Sequence, residues 1–312
     1  MYTIVGSGFG LYGYLPALIE QRAEGVILPV AYRDRFERRA ELARYREAIR
    51  WVGDHDAALA TATGVAIAVS PSLQSEATSR AVSWPNVREL ILEKPVAVTP
   101  DEAMRTLRLA ADRHVRVGYT LLHTDWHRAF RAALTSRCAR VSITWHFTAH
   151  HLRHGIVTWK RFHSQGGGVL RFYGIHLIAL LADAGYVAVE QSKLAIAVPD
   201  EPECWQAAFS GPGLPLCMVD VDSRAKSSRF AITAEGGVSE SIVVDAVEPF
   251  ALENERSGQD ARVAPVVRLV RSFGEEDGRW NRLHAATQTL WGEVEASTGR
   301  AGVATAGTVA KT

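Results

Sequence analysis

The chain opens with Tyr2-Thr3-Ile4-Val5-Gly6-Ser7-Gly8-Phe9-Gly10, and this stretch decides the fold of its first half. Tyr2–Val5 is an apolar run that predicts a β-strand, and glycines follow it directly. Residues 11–22 predict a helix, which Pro16 should bend. A glycine-rich turn from a strand into a helix is the setting in which backbone amides bind a diphosphate. The opening therefore predicts a dinucleotide-binding Rossmann unit.

The glycines come close to the Rossmann fingerprint G-x-G-x-x-G without reproducing it. Gly6 permits the tight turn, and Gly8 lets the backbone approach the diphosphate. The third position is Leu11, while Gly10 stands one residue early. A purely structural turn is the alternative, and the strand–helix series that follows favours the binding turn. The cofactor-binding residues predicted here are Gly6, Ser7, Gly8, Phe9, Gly10 and Leu11.

Strand and helix patterns alternate up to about residue 118. The predicted strands are 26–32, 65–69, 89–92 and 115–119. The predicted helices are 36–49, 73–82 and 99–113. The last of these has a clear start signal, with Thr99 as N-cap, Pro100 at the first position and Glu102 completing a capping box. This alternation predicts a doubly wound parallel α/β sheet.

The pattern changes in the second half of the chain. A strand is predicted at 141–148, a helix at 170–184, strands at 193–198, 205–209, 216–221, 230–233 and 241–244, and a closing helix at 280–296. Strands joined without helices predict a largely antiparallel sheet. We therefore predict an N-terminal Rossmann domain over 1–118 and an α+β domain over 119–312 whose sheet is open on one face. An apolar open face would favour a homodimer or homotetramer.

The composition excludes several classes of protein. Hydrophobic residues make up 47% and charged residues 22%, and the formal net charge of +1 gives no field that would recruit nucleic acid or a membrane surface. Three cysteines without a C-x-x-C pair predict reduced thiols rather than disulfides or a zinc ribbon. The longest apolar stretch, 169–184, is too short and too polar to span a bilayer. With no basic leader before the first strand, the sequence predicts a cytoplasmic protein.

The end of the second predicted strand bears on which dinucleotide binds. NAD-preferring sites usually place Asp or Glu there to hold the ribose 2′-hydroxyl, whereas this chain has Tyr32 and Arg33. A guanidinium would bind the 2′-phosphate of NADP, with Tyr32 beside the adenine. Asp34 argues for NAD, because a shift of one residue would make it the ribose ligand. A solvated loop charge is the remaining interpretation of Arg33.

An ordered set of motifs resembles one family. Leu92-Glu93-Lys94-Pro95-Val96 ends a predicted strand and is similar to the Glu-Lys-Pro signature of the glucose–fructose oxidoreductase/inositol dehydrogenase (Gfo/Idh/MocA) family. Gly6-Ser7-Gly8-Phe9-Gly10 with Leu15-Pro16-Ala17-Leu18 resembles the opening of that family. Trp159-Lys160, Gly166-Gly167-Gly168 and Gly174-Ile175-His176 resemble its substrate-domain motif. The set runs in the family's order and implies an NAD(P)-dependent oxidoreductase.

The resemblance makes Lys94 the first catalytic residue. Lys94 ends a predicted parallel strand, and ligands bind beyond the carboxyl ends of such strands. An ammonium there can donate to a carbonyl oxygen and stabilise the alkoxide as hydride arrives, and burial would lower its pKa. The resemblance also implies cofactor contacts from the Ser70-Pro71 turn and from Glu93, and a Lys94-Pro95 bond that is often cis. A surface turn is the plain alternative for a lone Lys-Pro pair.

The second half of the implied site departs from the family. The family has Asp and then His four residues later on the helix after its glycine run; here Phe172 and His176 stand at these positions. His176 is the predicted general acid, and Tyr173 is the substitute. A packed core histidine is the alternative for His176. Gln74, Leu122 and Ala179 replace a His, an Arg and another Asp that are common in the family.

Histidines cluster shortly before the predicted substrate segment. His146, His150, His151 and His154 could ligate a metal, but no carboxylate or cysteine partner has matching spacing, so we predict no metal site. The basic segment leads into Trp159-Lys160-Arg161 and could receive an anionic substrate such as a nucleotide-linked sugar. A solvated loop is the alternative. The predicted substrate-binding residues are Trp159, Lys160 and Phe172.

Together these features predict an NADP-dependent enzyme, with NAD as the alternative cofactor, that reduces a ketone on a sugar or sugar-like substrate. The lost Asp indicates either the reductive direction, with a carbonyl or imine as substrate, or altered chemistry, because in dehydrogenases of alcohols that carboxylate helps orient or deprotonate the substrate hydroxyl. An imine reductase of a biosynthetic pathway is an alternative within enzymes. A protein that binds NAD(P) and senses redox state without turnover is an alternative from another class.

Overall fold

The computed structural model describes residues 1–21, 25–135, 138–236, 239–253 and 259–301. The described residues form two compact units. The first contains Met1–Thr124 and Glu253–His284, and the second contains Asp125–Leu252 and the segment that starts at Ala285. The sequence alone gives no sign that residues from Glu253 onwards return to the first unit. We describe each unit by itself.

A parallel sheet forms the centre of the first unit. In the described residues its strand order is β3-β2-β1-β4-β5-β6, and every neighbouring pair is parallel. The strands are β1 Tyr2–Val5, β2 Val26–Pro29, β3 Ile49–Val52, β4 Gly64–Ile67, β5 Glu89–Leu92 and β6 His114–Val117. The prediction of a doubly wound Rossmann sheet is confirmed.

Two sequence predictions in this unit are wrong in detail. The second strand ends at Pro29 rather than at residue 32, because proline has no N–H for the ladder, and a 3₁₀ turn, Val30–Tyr32, follows. The helix predicted at 36–49 is a short helix, Arg33–Glu37, followed by 3₁₀ turns over Ala40–Ala48. Ile49 begins the edge strand β3, which the sequence analysis missed.

The helices of the described residues are α1 Leu15–Gln21, α2 Arg33–Glu37, α3 His55–Leu59, α4 Pro71–Val82, α5 Pro100–Leu109, α6 His127–Thr135, α7 His150–Arg153, α8 Ile175–Ala184, α9 Val263–Arg271 and α10 Asp277–Ala301. Helices α4, α5, α8 and α10 agree broadly with the predicted helices, whereas α3, α6, α7 and α9 were not predicted. A π-helical turn, Gly10–Tyr14, precedes α1, and the predicted helix end at Arg22 lies outside the described residues. Thr99 caps α5 as predicted, since its hydroxyl accepts from the Glu102 amide at 3.3 Å. In the described part of the chain, no helix combines the length and apolarity needed to cross a membrane.

The returning segment 259–284 is joined to the first unit in two ways. Helix α9 packs against α1 through the buried core residues Val266 and Leu269. Arg116 of β6 is fully buried, pairs with Asp277 at 2.8 Å and lies against the ring of Trp280. A buried guanidinium needs such partners, so these contacts fix the segment on β6.

A second sheet forms the centre of the second unit. Within the described residues its order is β12-β11-β7-β10-β9-β8, and only the β7–β10 pair is parallel. Its strands are β7 Arg140–Thr148, β8 Ala188–Val198, β9 Glu201–Ser210, β10 Leu216–Asp222, β11 Arg224–Gly236 and β12 Ser239–Ala246. The prediction of a largely antiparallel sheet is confirmed, because only one pair departs from it.

The two faces of this sheet differ in polarity. On β7 the buried residues Val141, Ile143 and Trp145 alternate with less buried polar residues. On the opposite face, Asp220 accepts from Gln206 at 2.9 Å and lies 2.6 Å from the His146 ring nitrogen. The open face is therefore polar here, not apolar as the sequence analysis expected. The homodimer or homotetramer stays a prediction.

Candidate functional site

The first glycine turn has the shape that a diphosphate requires. Gly6 has a φ of +116°, and a Cβ atom there would lie 2.2 Å from the carbonyl oxygen of Ala68, so only glycine fits. A Cβ at Gly8 would meet no described atom within 4 Å, so open space lies beside the backbone at this position. The turn therefore packs against the end of β4 on one side and leaves room for a ligand on the other.

Gly10 explains the imperfect fingerprint. A Cβ at Gly10 would lie 2.7 Å from the side chain of Ile4 on β1. Gly10 therefore provides the close helix–strand packing that the third glycine of the fingerprint usually provides. Phe9 caps the helix without a side-chain hydrogen bond, and the Leu11 amide of the first turn donates to the Gly8 carbonyl oxygen at 3.0 Å. These observations fit a dinucleotide diphosphate.

Tyr32 binds the glycine turn through its hydroxyl. The oxygen accepts from the Gly6 amide at 2.7 Å and lies 3.1 Å from the His55 ring nitrogen. Burial raises the pKa of Tyr32, and burial lowers the pKa of His55, with the charge of Arg80 acting in the same direction. Tyr32 therefore takes part in holding the turn itself, a role that its predicted place beside the adenine did not include.

Two arginines follow Tyr32 at the start of α2. The guanidinium of Arg33 lies 5.1 Å from the centre of the Trp51 ring. Arg35 donates a hydrogen bond to the Ser7 hydroxyl of the glycine turn. The side chain of Asp34 is exposed between them. Arg35 was not among the predicted site residues, although a second arginine two residues after Arg33 was the available signal.

Lys94 lies directly after β5 and is 7% exposed. The Lys94-Pro95 peptide bond is cis, as the resemblance implied. Glu93 is held twice: its carboxylate accepts from the Tyr14 hydroxyl at 2.6 Å, and its carbonyl oxygen accepts from the Gln74 amide. Burial and the charge of Glu93 raise the pKa of Tyr14, so this phenol stays protonated as the donor.

The Ser70-Pro71 turn follows β4, with Ser70 as the N-cap and Pro71 as the first residue of α4. Because β1, β4 and β5 are parallel neighbours, the glycine turn, this turn and the Glu93-Lys94 pair follow the carboxyl ends of adjacent strands. That edge is where open α/β sheets bind their ligands. The structure thus brings the predicted first-unit residues to one sheet edge, and their contacts with a cofactor stay predictions.

In the second unit the glycine run lets two segments come close together. A Cβ at Gly167 would lie 2.2 Å from the carbonyl oxygen of Trp159, and one at Gly168 would lie 2.6 Å from Pro202. The turn Trp159–Arg161 therefore lies directly against the run. A π-helical turn, Val169–Gly174, follows and leads into α8.

The predicted substrate residues form an aromatic cluster on this turn. The centre of the Phe172 ring lies 5.4 Å from that of Trp159 and 4.8 Å from that of Tyr173. The ring centres of Tyr173 and Phe147 are 4.6 Å apart. The Lys160 ammonium lies 5.2 Å from the centre of the Phe172 ring. His176 is buried one turn further on α8. Trp159, Lys160, Phe172 and Tyr173 are thus neighbours, and their contacts with a substrate stay predictions.

A carboxylate from α10 anchors the start of this turn. Glu295 accepts from Arg171 at 2.7 Å and from Trp291 at 2.9 Å, and it lies 3.4 Å from the His163 ring nitrogen. Burial alone would raise the pKa of Glu295, but hydrogen bonds from His163 and Arg171 outweigh it and bring the pKa down to about 2. The carboxylate is therefore ionised and fixes the turn that carries Phe172 and Tyr173.

The histidines before this turn are dispersed. His146 pairs with Asp220. His151 is buried, and this burial, together with the charges of Lys160 and Arg161, lowers the pKa of His151 to about 4. His150 and His154 are exposed on and after α7. Among the described residues no three His, Cys, Asp or Glu side chains lie together as a metal-ion site.

The parallel sheet and its diphosphate-compatible turn define a dinucleotide-binding protein of the Rossmann class. Residues 1–121 match the family model described as an oxidoreductase family with an NAD-binding Rossmann fold. The match covers the first part of the chain and confirms the resemblance to the Gfo/Idh/MocA family there. The description of that family, an oxidoreductase with an NAD-binding Rossmann fold, supports the expectation of an NAD(P)-dependent oxidoreductase with a nicotinamide cofactor.

Several solved structures resemble nearly the whole chain. The WlbA dehydrogenase from Bordetella pertussis, solved with NADH and UDP-GlcNAcA, is 15% identical, with a TM-score of 0.67 over 96% of this chain and 95% of that one. KijD10, a 3-ketoreductase from Actinomadura kijaniata solved with NADP and TDP-benzene, is 15% identical, with a TM-score of 0.68 over 95% and 97%. A super-repressor mutant of Gal80p from Saccharomyces cerevisiae is 13% identical, with a TM-score of 0.72 over 96% of both chains. At these identities the likeness shows the fold, and a search of curated protein sequences gives no significant match.

Proposed function

We propose that this protein is an NADP-dependent reductase of a ketone on a sugar or sugar-like substrate. The observation that carries the proposal is Lys94, buried after β5 on the sheet edge that also bears the diphosphate-compatible turn. A buried ammonium at the carboxyl edge of a parallel sheet is placed to donate to a ligand that binds at that edge. Nucleotide-linked sugars are within the proposed substrate class, and the UDP-GlcNAcA complex of the WlbA dehydrogenase supports this.

The bound nicotinamide would supply the hydride. Lys94 donates a hydrogen bond to the carbonyl oxygen of the substrate and stabilises the negative charge that develops there. The double anchoring of Glu93 supports this role, because it fixes the backbone from which Lys94 extends.

His176 or Tyr173 delivers the proton to the reduced oxygen. Both lie on the helical stretch after the glycine run, His176 buried and Tyr173 half-buried in the aromatic cluster. A neutral imidazole or a phenol can give a proton to an alkoxide, whose basicity exceeds that of either conjugate base. Phe172 leaves this stretch without the carboxylate that would receive a proton from an alcohol, which favours reduction over oxidation.

NADP is the proposed cofactor because two arginines follow β2. Arg33 and Arg35 lie in the same turn of α2. Arg35 donates a hydrogen bond to Ser7 of the glycine turn, and the Arg33 guanidinium lies over the Trp51 ring of β3. A 2′-phosphate would bind guanidinium groups by charge-assisted hydrogen bonds. NAD is the alternative, since Asp34 lies between the two arginines and WlbA was solved with NADH.

Turnover and cofactor binding test the proposal together. NADPH consumption is measured with a panel of keto sugars, free and nucleotide-linked, and NADP⁺ reduction with the corresponding alcohols, including UDP-GlcNAcA. We expect Lys94→Ala to lower turnover at least about a hundredfold while NADPH still binds. Lys193→Ala, an exposed lysine on β8, is the matched control and should keep full activity. Equal turnover in Lys94→Ala and the wild type would contradict the proposal.

A second candidate is a regulator that binds NAD(P) without turnover. The likeness to a Gal80p repressor mutant favours it, together with the replacement of the family Asp by Phe172. Such a protein would bind NADPH and show no consumption of it with any member of the panel. Lys94→Ala would then have no effect on the rate of NADPH consumption, because neither the variant nor the wild type would consume NADPH.

A further inference from the structure

Three residues are hydrogen-bonded across the carboxyl ends of three adjacent strands of the parallel sheet. Gly6 follows β1, Tyr32 ends the 3₁₀ turn after β2, and His55 begins α3 after β3. The Tyr32 hydroxyl oxygen lies 2.7 Å from the Gly6 amide nitrogen and 3.1 Å from the His55 Nε2 atom. We call these residues the tyrosine–histidine relay. It crosses the edge at which a Rossmann sheet binds its dinucleotide.

The position of the hydrogen on the His55 ring decides what the Tyr32 hydroxyl can bind. A phenol offers one hydrogen and two acceptor lone pairs, and the Gly6 amide occupies one of these lone pairs. A neutral imidazole carries a hydrogen on only one of its two ring nitrogens. The Nε2 atom of His55 therefore either accepts the phenolic hydrogen or donates to the phenolic oxygen.

The other nitrogen of the His55 ring selects between these two forms. Nδ1 is buried, and it forms no hydrogen bond with any of the described residues. A hydrogen on Nδ1 would therefore be a buried donor without an acceptor, which is rarer in proteins than an under-satisfied acceptor. Burial and the charge of Arg80 lower the pKa of His55 despite the nearby charges of Asp54 and Asp56, so the ring is neutral near neutral pH. The ring hydrogen is accordingly on Nε2, which donates to the Tyr32 oxygen.

A Tyr32 hydroxyl with both lone pairs occupied can only donate to a ligand. Burial raises the pKa of Tyr32, so the phenol keeps its hydrogen. In NAD-preferring sites a carboxylate near the end of the second strand instead accepts from the ribose 2′-hydroxyl. A group that can only donate matches an oxygen without a hydrogen, such as the oxygens of a 2′-phosphate. The relay therefore changes this position from an acceptor into a donor.

Resting on the proposed NADP cofactor, we infer that His55 is a positioning residue for cofactor choice, because it fixes the Tyr32 hydroxyl as a donor to the 2′-phosphate. Tyr32 touches the cofactor in this arrangement, and His55 acts through Tyr32. Loss of the His55 N–H would return one lone pair to Tyr32, which could then accept from the 2′-hydroxyl of NAD. The relay thus adds a neutral hydrogen bond to the selection that the arginines after β2 make by charge.

NMR can observe the form of the His55 ring directly. The sequence contains 11 histidines, and two-bond ¹H–¹⁵N spectra of the ¹⁵N-histidine-labelled protein distinguish the two neutral tautomers of each ring. His55→Gln removes one set of signals and so assigns it. We expect the Nε2–H form of His55 near neutral pH, with and without NADP⁺. The Nδ1–H form would overturn the inference, because Tyr32 would then keep a lone pair for the ligand.

Cofactor affinities of variants test the consequence for binding. Calorimetry gives dissociation constants for NADPH and NADH, and for adenosine 2′,5′-bisphosphate and 5′-AMP, which carry only the ribose end. His55→Leu should lower the preference for the 2′-phosphate about tenfold, as expected for one hydrogen bond, and His55→Gln, which keeps an N–H donor, should retain most of it. Thr61→Val removes a different hydrogen bond of α3, to the Ala57 carbonyl oxygen, and is the matched control. An unchanged preference in His55→Leu would reject the role of His55.

A double-mutant cycle separates the relay from a general effect on the fold. Tyr32→Phe should lower the same preference, and adding His55→Leu should lower it no further, because His55 acts only through the lost hydroxyl. A second loss of similar size in the double variant would contradict the inference. Any weakening of the Gly6 turn affects NADPH and NADH alike, so the ratio of their dissociation constants isolates the relay. Failure of the proposed function is distinguishable, because it would appear as absent or Lys94-independent turnover, on which none of these binding ratios depends.

Discussion

The side-chain amide of Gln74 donates a hydrogen bond to the carbonyl oxygen of Glu93, the residue before Lys94. Gln74 is fully buried on α4, so this bond joins the helix after β4 to the turn after β5. A buried carbonyl that loses its donor is destabilised by ~1–3 kcal/mol. Gln74 is therefore a positioning residue that acts through the backbone beside Lys94.

Gln74→Leu should lower kcat roughly ten- to a hundredfold, because even a small displacement of a catalytic group is costly. The KM for NADPH should change little, since Gln74 is not among the glycine-turn residues. Gln74→His, which restores a ring N–H donor and the residue common in the family, should recover much of the rate. Steady-state kinetics with the best keto sugar of the panel decide this. Identical kcat values for Gln74→Leu and the wild type would show that the hydrogen bond does not position Lys94.

The two glycines of the first turn should respond differently to the same substitution. Gly6→Ala forces a left-handed φ and a contact with the Ala68 carbonyl, so it should destabilise the first unit by roughly 2 kcal/mol or more. Gly8→Ala meets open space, so the fold should keep its stability. Its methyl group would instead occupy the space beside the turn and weaken NADPH binding about tenfold. Thermal unfolding and NADPH fluorescence titration separate the two effects; tight NADPH binding by a stable Gly8→Ala variant would place the diphosphate elsewhere.

Cofactor choice should depend on Arg35 and Arg33. Each Arg→Gln change should weaken NADPH binding about tenfold by removing charge-assisted hydrogen bonds to the 2′-phosphate, and should leave NADH binding unchanged. The difference between the two cofactors should shrink as salt is raised, because the groups are exposed. Dissociation constants for NADPH and NADH at low and high salt measure this. Arg38 is an exposed arginine of the same region, so Arg38→Gln is the matched control. Tighter binding of NADH than of NADPH by the wild type would refute the choice of NADP.

The sequence predicted what local patterns specify and missed what distant contacts specify. Lys94 could be placed after a parallel strand because a buried apolar run precedes it, and the ordered set of family motifs, rather than the Lys-Pro pair alone, indicated its role. The strand Ile49–Val52 could not be predicted, because the Arg- and Glu-rich segment before it has the composition of a helix. Residues 49–52 form a strand because they pair with β2. The return of residues 259–284 to the first unit depends on contacts such as Arg116 with Asp277, which join positions far apart in the chain. Arg35 was missed for the same reason, because its partner Ser7 lies on another element.

Glu295 should make the stability of the second unit depend on pH in an acidic window. Its pKa is lowered from 4.5 to about 2 in the folded protein, so the folded state binds its proton less readily than the unfolded state does. The resulting stabilisation, on the order of 3 kcal/mol, is fully present above the unfolded pKa and is lost as the pH falls through about 2. Urea unfolding of the wild type should therefore show that the free energy of unfolding falls as the pH is lowered from about 6 to about 2.

Glu295→Gln tests whether this carboxylate causes the loss. The variant should be less stable than the wild type near neutral pH, because Arg171 and His163 lose their charged partner, and the difference should shrink as the pH falls. Glu293→Gln on the exposed face of α10 is the matched control and should keep the wild-type profile. A Glu295→Gln variant with the wild-type pH profile would mean that this carboxylate does not stabilise the second unit through its charge.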